Sequence, residues 1–297
     1  SVRNVGAESR CGISVWNFGE GVSVRELMMR ARWAPVLALA LSVTACGVGG
    51  GSASVAGKDA LVIGVKADQP GLGLKKPGGT FEGFDVDVAK YVAKRLGAKK
   101  VTFEAITSAQ RESFLQQGKV DLVFATYSIT PERKTKVAFG GPYYVAHQDT
   151  LVRTADTAIK NVRDLKGRKL CQVAGSNSWK RVTQERKVAA GLVAAASYSQ
   201  CVGDLVSGTV DAVSTDDLIL AGFAGQRGQA VKLVNAPISD ERYGVGIRQG
   251  DVRGCEEINK AVTELYLDGT ASSLLHKWFG STGLAVTTTV PQFEGCG

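Results

Sequence analysis

Short runs of β-branched and aromatic residues punctuate the chain and read as buried strands: ALVIGVKA (60–67), VTFEAI (101–106) and VDLVFATY (120–127). Between them the apolar period lengthens. In FDVDVAKYVAKRLG (84–97), Val88, Val92 and Leu96 line one helical face, and Gly97 ends the helix. A second helix is predicted from Arg111 to Gln117, before Gly118. Strands and helices in alternation argue for an α/β domain with a largely parallel sheet. After about Arg153 the theme starts again. RKLCQVAG (168–175) reads as a strand leading into a helix start, SNSWKRV (176–182). VDAVSTDDLILAG (210–222) repeats strand, turn and helix, and AVKLVNAP (230–237) is another strand. RYGVGIRQG (242–250) then reads as a return strand, followed by two helical patterns, CEEINKAVTELYLDGT (255–270) and SSLLHKWFG (272–280).

The order predicts two α/β lobes, with residues 59–150 and 244–297 in lobe 1 and 151–243 in lobe 2. Two hinge crossovers join them, near residues 149–153 and 240–245. Ligands of open α/β sheets sit beyond the carboxyl ends of the strands. The loops after VFAT, CQVAG and DAVST are therefore the ones to inspect, and in two lobes they can face each other across a cleft.

The chain ahead of residue 59 has a different pattern. MMRARW (28–33) is a short basic stretch, and APVLALALSVTA (34–45) is an apolar run shorter than the roughly 20 residues of a membrane span. It ends at VTAC (43–46), which resembles a bacterial lipobox, so Cys46 is expected to be lipidated and to become the mature N-terminus. Residues 46–58 then form a Gly/Ser-rich flexible tether. With Met28 or Met29 fitting an initiator, residues 1–27 read as an upstream extension, and 1–45 as that extension plus a lipoprotein signal peptide. The expected location is the extracellular face of the cell membrane, held by a lipid anchor.

At 44% hydrophobic and 22% charged residues, the composition is that of a folded soluble domain and excludes a disordered chain. The net charge is +8 overall, and from Cys46 onward 31 Lys/Arg stand against 25 Asp/Glu. No basic run is interleaved with aromatics, which argues against a nucleic-acid partner. The balance suits an anionic solute or an anionic membrane surface. Setting aside Cys46 and Cys11, four cysteines remain, an even number that suggests two disulfides in an exported protein. Three pairings are possible. Cys171–Cys201 with Cys255–Cys296 is the most economical, because each pair falls within one lobe. No metal or other cofactor is expected: CxxC is absent, and His147 and His276 are the only histidines.

The candidate chemistry starts at SITPERKTKVAF (128–139), just past a strand. Thr130 offers an N-cap and Pro131 suits the first helical position, which leaves Arg133 within the first turn. A cation at the positive end of a helix is locally unfavourable, and an anionic ligand would answer both charges. Arg133 has the planar fork that holds a carboxylate by two parallel bonds. Thr126 and Ser128, two apart at a strand end, are expected to face the same side. AGSNSW (174–179) turns from strand to helix and aims N–H groups outward near Asn177. STDD (214–217) places Asp216 and Thr215 just after a strand, where an acid can pair with an ammonium, and Asp217 is expected to cap the following helix.

FEGFDVDVAKYVAKRLG, QGKVDLVFATYSITPERKTKVAFGGPYY and VDAVSTDDLILAG resemble the family 3 bacterial extracellular solute-binding proteins, over residues 58–280. SAQRE, STDDLILAG, ERYGVG and the cysteines are similar to the actinobacterial glutamate-binding lipoproteins of ABC transporters. The resemblance implies a type II periplasmic-binding-protein-like fold and a monomer without catalysis. It implies L-glutamate or L-aspartate as ligand and an ABC transporter permease as partner. It puts Thr126, Ser128 and Arg133 on the α-carboxyl and α-amino end, Asn177 on the ligand carboxylate, and Asp216, with Thr215 beside it, on the ammonium. Lys66, Ser108 and Arg111 match positions that hold the side-chain carboxylate in binders of acidic amino acids. Three cations against Asp216 and two ligand carboxylates come close to balance, which favours glutamate or aspartate over glutamine. Many relatives carry an aromatic platform after the first strand; here Leu72, Leu74 or Phe81 would have to fill that role. Two further readings share the fold: a sensor domain signalling to a membrane receptor, and a cyclohexadienyl-dehydratase-like enzyme. The second needs a general acid or base in the cleft, where the candidate motifs offer only Glu112 and Glu132.

Overall fold

The computed structural model describes residues 54–296. The expectations for residues 1–53, including lipidation of Cys46, lie outside the described residues. β1 (Ala60–Val65) is followed by three very short strands, β2 (Asp68–Gln69), β3 (Gly73–Lys75) and β4 (Phe81–Glu82), which pair antiparallel. Then come α1 (Phe84–Arg95), β5 (Lys100–Ala105), α2 (Arg111–Gln116), β6 (Leu122–Phe124) and the single turn α3 (Pro131–Lys134). The long strand β7 (Ala138–Arg153) leads to β8 (Lys169–Val173), α4 (Ser178–Lys180), β9 (Gly191–Ala195) and α5 (Tyr198–Ser207). The rest is β10 (Val213–Asp216), α6 (Asp217–Arg227), β11 (Val231–Leu233), β12 (Ser239–Ile247), α7 (Val252–Leu267) and α8 (Thr270–Phe279).

The main sheet runs β10-β7-β12-β6-β1-β5, with β11 also on β7. β1 pairs parallel with β5 and β6, as the strand–helix alternation requires. β7 and β12 pair antiparallel and pass through both lobes. The two crossovers are therefore not loops: residues 149–153 lie inside β7 and 240–245 inside β12. Their ladder is broken only by a register shift between Tyr243 and Val245.

α1 buries Phe84, Val88, Ala89 and Val92 against the sheet, so its apolar stripe does what the periodicity implied. Phe84, Phe124, Tyr143 and Tyr243 form a chain of aromatic contacts beneath the strand ends, with centroids 5.5–6.3 Å apart. Both disulfides of the economical pairing are present, Cys171–Cys201 joining β8 to α5 and Cys255–Cys296 tying the final segment to α7. Among the described residues no helix is long and apolar enough to cross a membrane.

Candidate functional site

Three cations are buried where the lobes meet: Lys66 is 4% exposed, Arg111 2% and Arg133 6%. Such values exclude solvated surface side chains. Lys66 follows the last residue of β1 and donates to Ser108 Oγ at 2.6 Å. Among the described residues no carboxylate lies within 4.0 Å of its ammonium. Burial, and then the charge of Arg111, lowers its pKa from 10.5 to about 7.

Arg111, at the start of α2, donates to the carbonyls of Ser108, Ala125 and Thr126 at 3.0–3.1 Å. It also crosses to Gly175 O of the other lobe at 3.0 Å. Burial and the neighbouring Arg133 lower it to about 10. Arg133 sits where the sequence placed it: Thr130 Oγ1 accepts from its backbone N–H, and Pro131 opens the turn. Its guanidinium folds back from the helix end to Ser128 O at 2.6 Å and Gly175 O at 3.1 Å. Both guanidiniums lie over the Tyr127 ring, at 4.3 and 4.9 Å from its centroid.

Thr126 and Ser128 are buried beside these cations, but not for the expected reason. β6 ends at Phe124 and Thr126 has φ +45°, so strand alternation no longer holds there. The turn replaces it: Thr126 N–H donates to Asp85 Oδ2 at 2.9 Å, and its hydroxyl donates to Gln69 Oε1 at 3.2 Å. Ser128 forms an isolated bridge with Tyr243. The Tyr243 hydroxyl in turn donates to Asp216 Oδ2 at 2.7 Å, which links the two halves of the site. Burial, and then the charge of Glu241, holds the Asp216 carboxyl well above the usual carboxylate range.

On the second lobe, Thr215 Oγ1 accepts from Ser178 Oγ at 3.2 Å. Ser178 belongs to a buried hydroxyl set with Ser176 and Tyr198. The Asn177 amide Nδ2 donates to Glu241 Oε2 at 3.0 Å. Asp217 does not cap: it is the first residue of α6, and its Oδ1 accepts from Leu218 N–H, while Asp216 takes the N-cap position without a side-chain cap bond. The lobes touch closely. A Cβ on Gly175 would lie 2.5 Å from Ala109 N, and Lys180 meets Glu132 across the gap at 3.0 Å. A cavity of 320 Å³ opens beside Arg133, Gly175 and Trp179, and another of 240 Å³ beside Lys66 and Ser197.

The neighbourhood of the cations is more acidic than the expected balance. Asp85 is fully buried, and Glu112 Oε1 lies 3.6 Å from Arg133 Nε, so the acids near the cations exceed Asp216 alone. Burial outweighs two hydrogen bonds and lifts Asp85 to about 6. Of the three platform candidates, Leu74 lies in β3. Leu72 is core, and Phe81 pairs with Phe103. From the same loop Gln69 also reaches the site, its Oε1 accepting from the Thr126 hydroxyl. One signal for Asp85 was legible, since it shares the stripe of Val88, Ala89 and Val92 on α1 and is thus an acid on a buried face.

Two α/β lobes joined by paired strands, with polar side chains of both converging at the strand ends, define a two-lobed binding protein of type II. The chain belongs to the bacterial extracellular solute-binding proteins, family 3, which it matches over residues 61–281. It is 38% identical to the glutamate-binding protein GluB of Corynebacterium glutamicum, over 84% of this chain and 90% of that one. It is 36% identical to the ABC transporter glutamine-binding protein GlnH of Bacillus subtilis, over 76% and 83%. Among solved structures, an ancestral arginine-binding protein bound to arginine is 37% identical with a TM-score of 0.70, covering 75% of this chain and 99% of that one.

Proposed function

We propose that this protein captures L-glutamate or L-aspartate between its lobes and passes it to an ABC transporter permease. It works as a monomer held to the outer face of the membrane through Cys46, and by binding alone. The observation that carries the reading is Lys66, a buried ammonium with one hydroxyl partner and no carboxylate within ion-pair distance among the described residues. A side-chain carboxylate beside it would supply the missing charge. Arg133 is the fork for the α-carboxylate and Asp216 the acceptor for the ammonium. Thr126, Ser128, Ser108 and Thr215 supply neutral donors and acceptors around them. The likeness to GluB supports the same ligand.

A second reading, glutamine, is favoured by two observations. Arg111 already spends its donors on four carbonyls, and Asp85 adds a buried negative charge near Lys66. A thermal-shift panel of the twenty amino acids decides between them, because a ligand that binds the folded state raises its stability by mass action. The largest shift is expected for glutamate. A larger one for glutamine overturns the choice, and no shift with any amino acid overturns the class. Turnover of prephenate would overturn binding without catalysis.

A further inference from the structure

Thr126 is one of three non-glycine residues at positive φ among the described residues, and its three polar groups are all engaged. Its hydroxyl donates to Gln69, its carbonyl accepts from Arg111, and its N–H donates to the Asp85 carboxylate. The other oxygen of Asp85 accepts from the Tyr143 hydroxyl at 2.8 Å. The carboxylate is thus pinned on both sides inside the aromatic core.

The conformation has a consequence for the cations. In an extended strand consecutive carbonyls point to opposite sides. Here the carbonyls of Ala125 and Thr126 converge on one nitrogen of Arg111, at 3.0 and 3.1 Å. Only a break in the extended backbone allows that. A threonine holds a left-handed conformation only where its surroundings over-determine it. The N–H donates to the Asp85 carboxylate, and the Tyr143 hydroxyl that Asp85 holds also lies against it.

We propose that Asp85 is a positioning residue for ligand capture: it holds Thr126 left-handed, which turns two carbonyls onto Arg111 and sets the loop carrying Ser128. This rests on the reading of Thr126 and Arg111 as part of an amino-acid site. It assigns a role to an acid that is fully buried.

The test is a double-mutant cycle with Asp85→Ala and Thr126→Gly, read by calorimetric affinity for glutamate and for glutamine. Glycine adopts a left-handed backbone unaided. In the native background Asp85→Ala is expected to weaken both ligands about tenfold or more, and in the Thr126→Gly background by less than about threefold. An equal loss in both backgrounds overturns the proposal. So does a change confined to glutamate, which would make Asp85 a counter-charge. Should the alanine variant not fold, Asp85→Asn goes through the same cycle. A loss of about threefold or more for both ligands, removed by glycine at 126, is then expected; no loss, or one that glycine leaves in place, overturns the proposal. Failure of the native protein to bind either amino acid would instead count against the functional reading.

Discussion

With glutamate bound as proposed, Lys66 is expected to make its affinity pH-dependent in a way that glutamine's is not. Its ammonium has a pKa lowered from 10.5 to about 7, chiefly by burial. The sign for folding follows from linkage. Below about pH 7 both folded and unfolded chains carry the proton, and the burial penalty is fully present. Between about 7 and 10.5 the unfolded chain holds more protons, so this residue's contribution to stability rises with pH. Binding reverses the shift, because a carboxylate beside Lys66 favours the charged form. Above pH 7, glutamate must therefore bring a proton with it. From about pH 6 to about pH 9 its affinity is expected to fall by about 100-fold, or ~2.7 kcal/mol at 1.36 kcal/mol per pKa unit. Glutamine shares the α-carboxylate and ammonium and serves as the control. Calorimetry in two buffers of different ionisation enthalpy reads the proton uptake directly, and Lys66→Met should abolish it. A glutamate-to-glutamine affinity ratio that stays flat over this range would refute the placement of the side-chain carboxylate beside Lys66.

Arg133→Ala deletes the proposed fork for the α-carboxylate and should weaken every amino-acid ligand by about 2–5 kcal/mol in calorimetry. Gly175→Ala puts a Cβ 2.5 Å from Ala109 N at a backbone with φ +76°, so the lobes cannot close as they do here. Roughly tenfold to hundredfold weaker binding is expected, with small-angle scattering showing less compaction on adding glutamate. Replacing Cys171 and Cys201 by serine opens a loop of 30 residues; a loss of about 3–4 kcal/mol in denaturant unfolding is expected. Arg111→Ala should weaken glutamate more than glutamine; equal weakening would assign Arg111 to holding the loop carbonyls alone.

The alternation of α and β elements was legible because it rests on local periodicity. ALVIGVKA, VTFEAI and the stripe of α1 each carry their own signal. β2, β3 and β4 were not legible, since strands of two or three residues have no period to detect. β7 was hidden for a different reason: AFGGPYYVAHQDTLVR is buried on both faces and holds Gly-Gly-Pro, so no alternation shows. At the site, Arg133 announced itself by a mismatch between its charge and the helix end. Gln69 gave no local sign, because its significance lies in Thr126, 57 positions away. Asp217 was misread because two adjacent acids compete for one cap, and the path of the chain decides which of them precedes the helix.

The paired hinge has a mechanical corollary. Residues Gln148 to Tyr144 of β7 are matched one for one with Ser239 to Tyr243 of β12. The two connections between lobes therefore flex as a single ribbon and not as independent swivels. Rotation must spread as twist over several rungs, with the slack of the register shift beside Gly244 as its natural point of give. Stiffening either strand would slow the motion of both, and the speed of solute release would be governed by a stretch of backbone that never meets the solute.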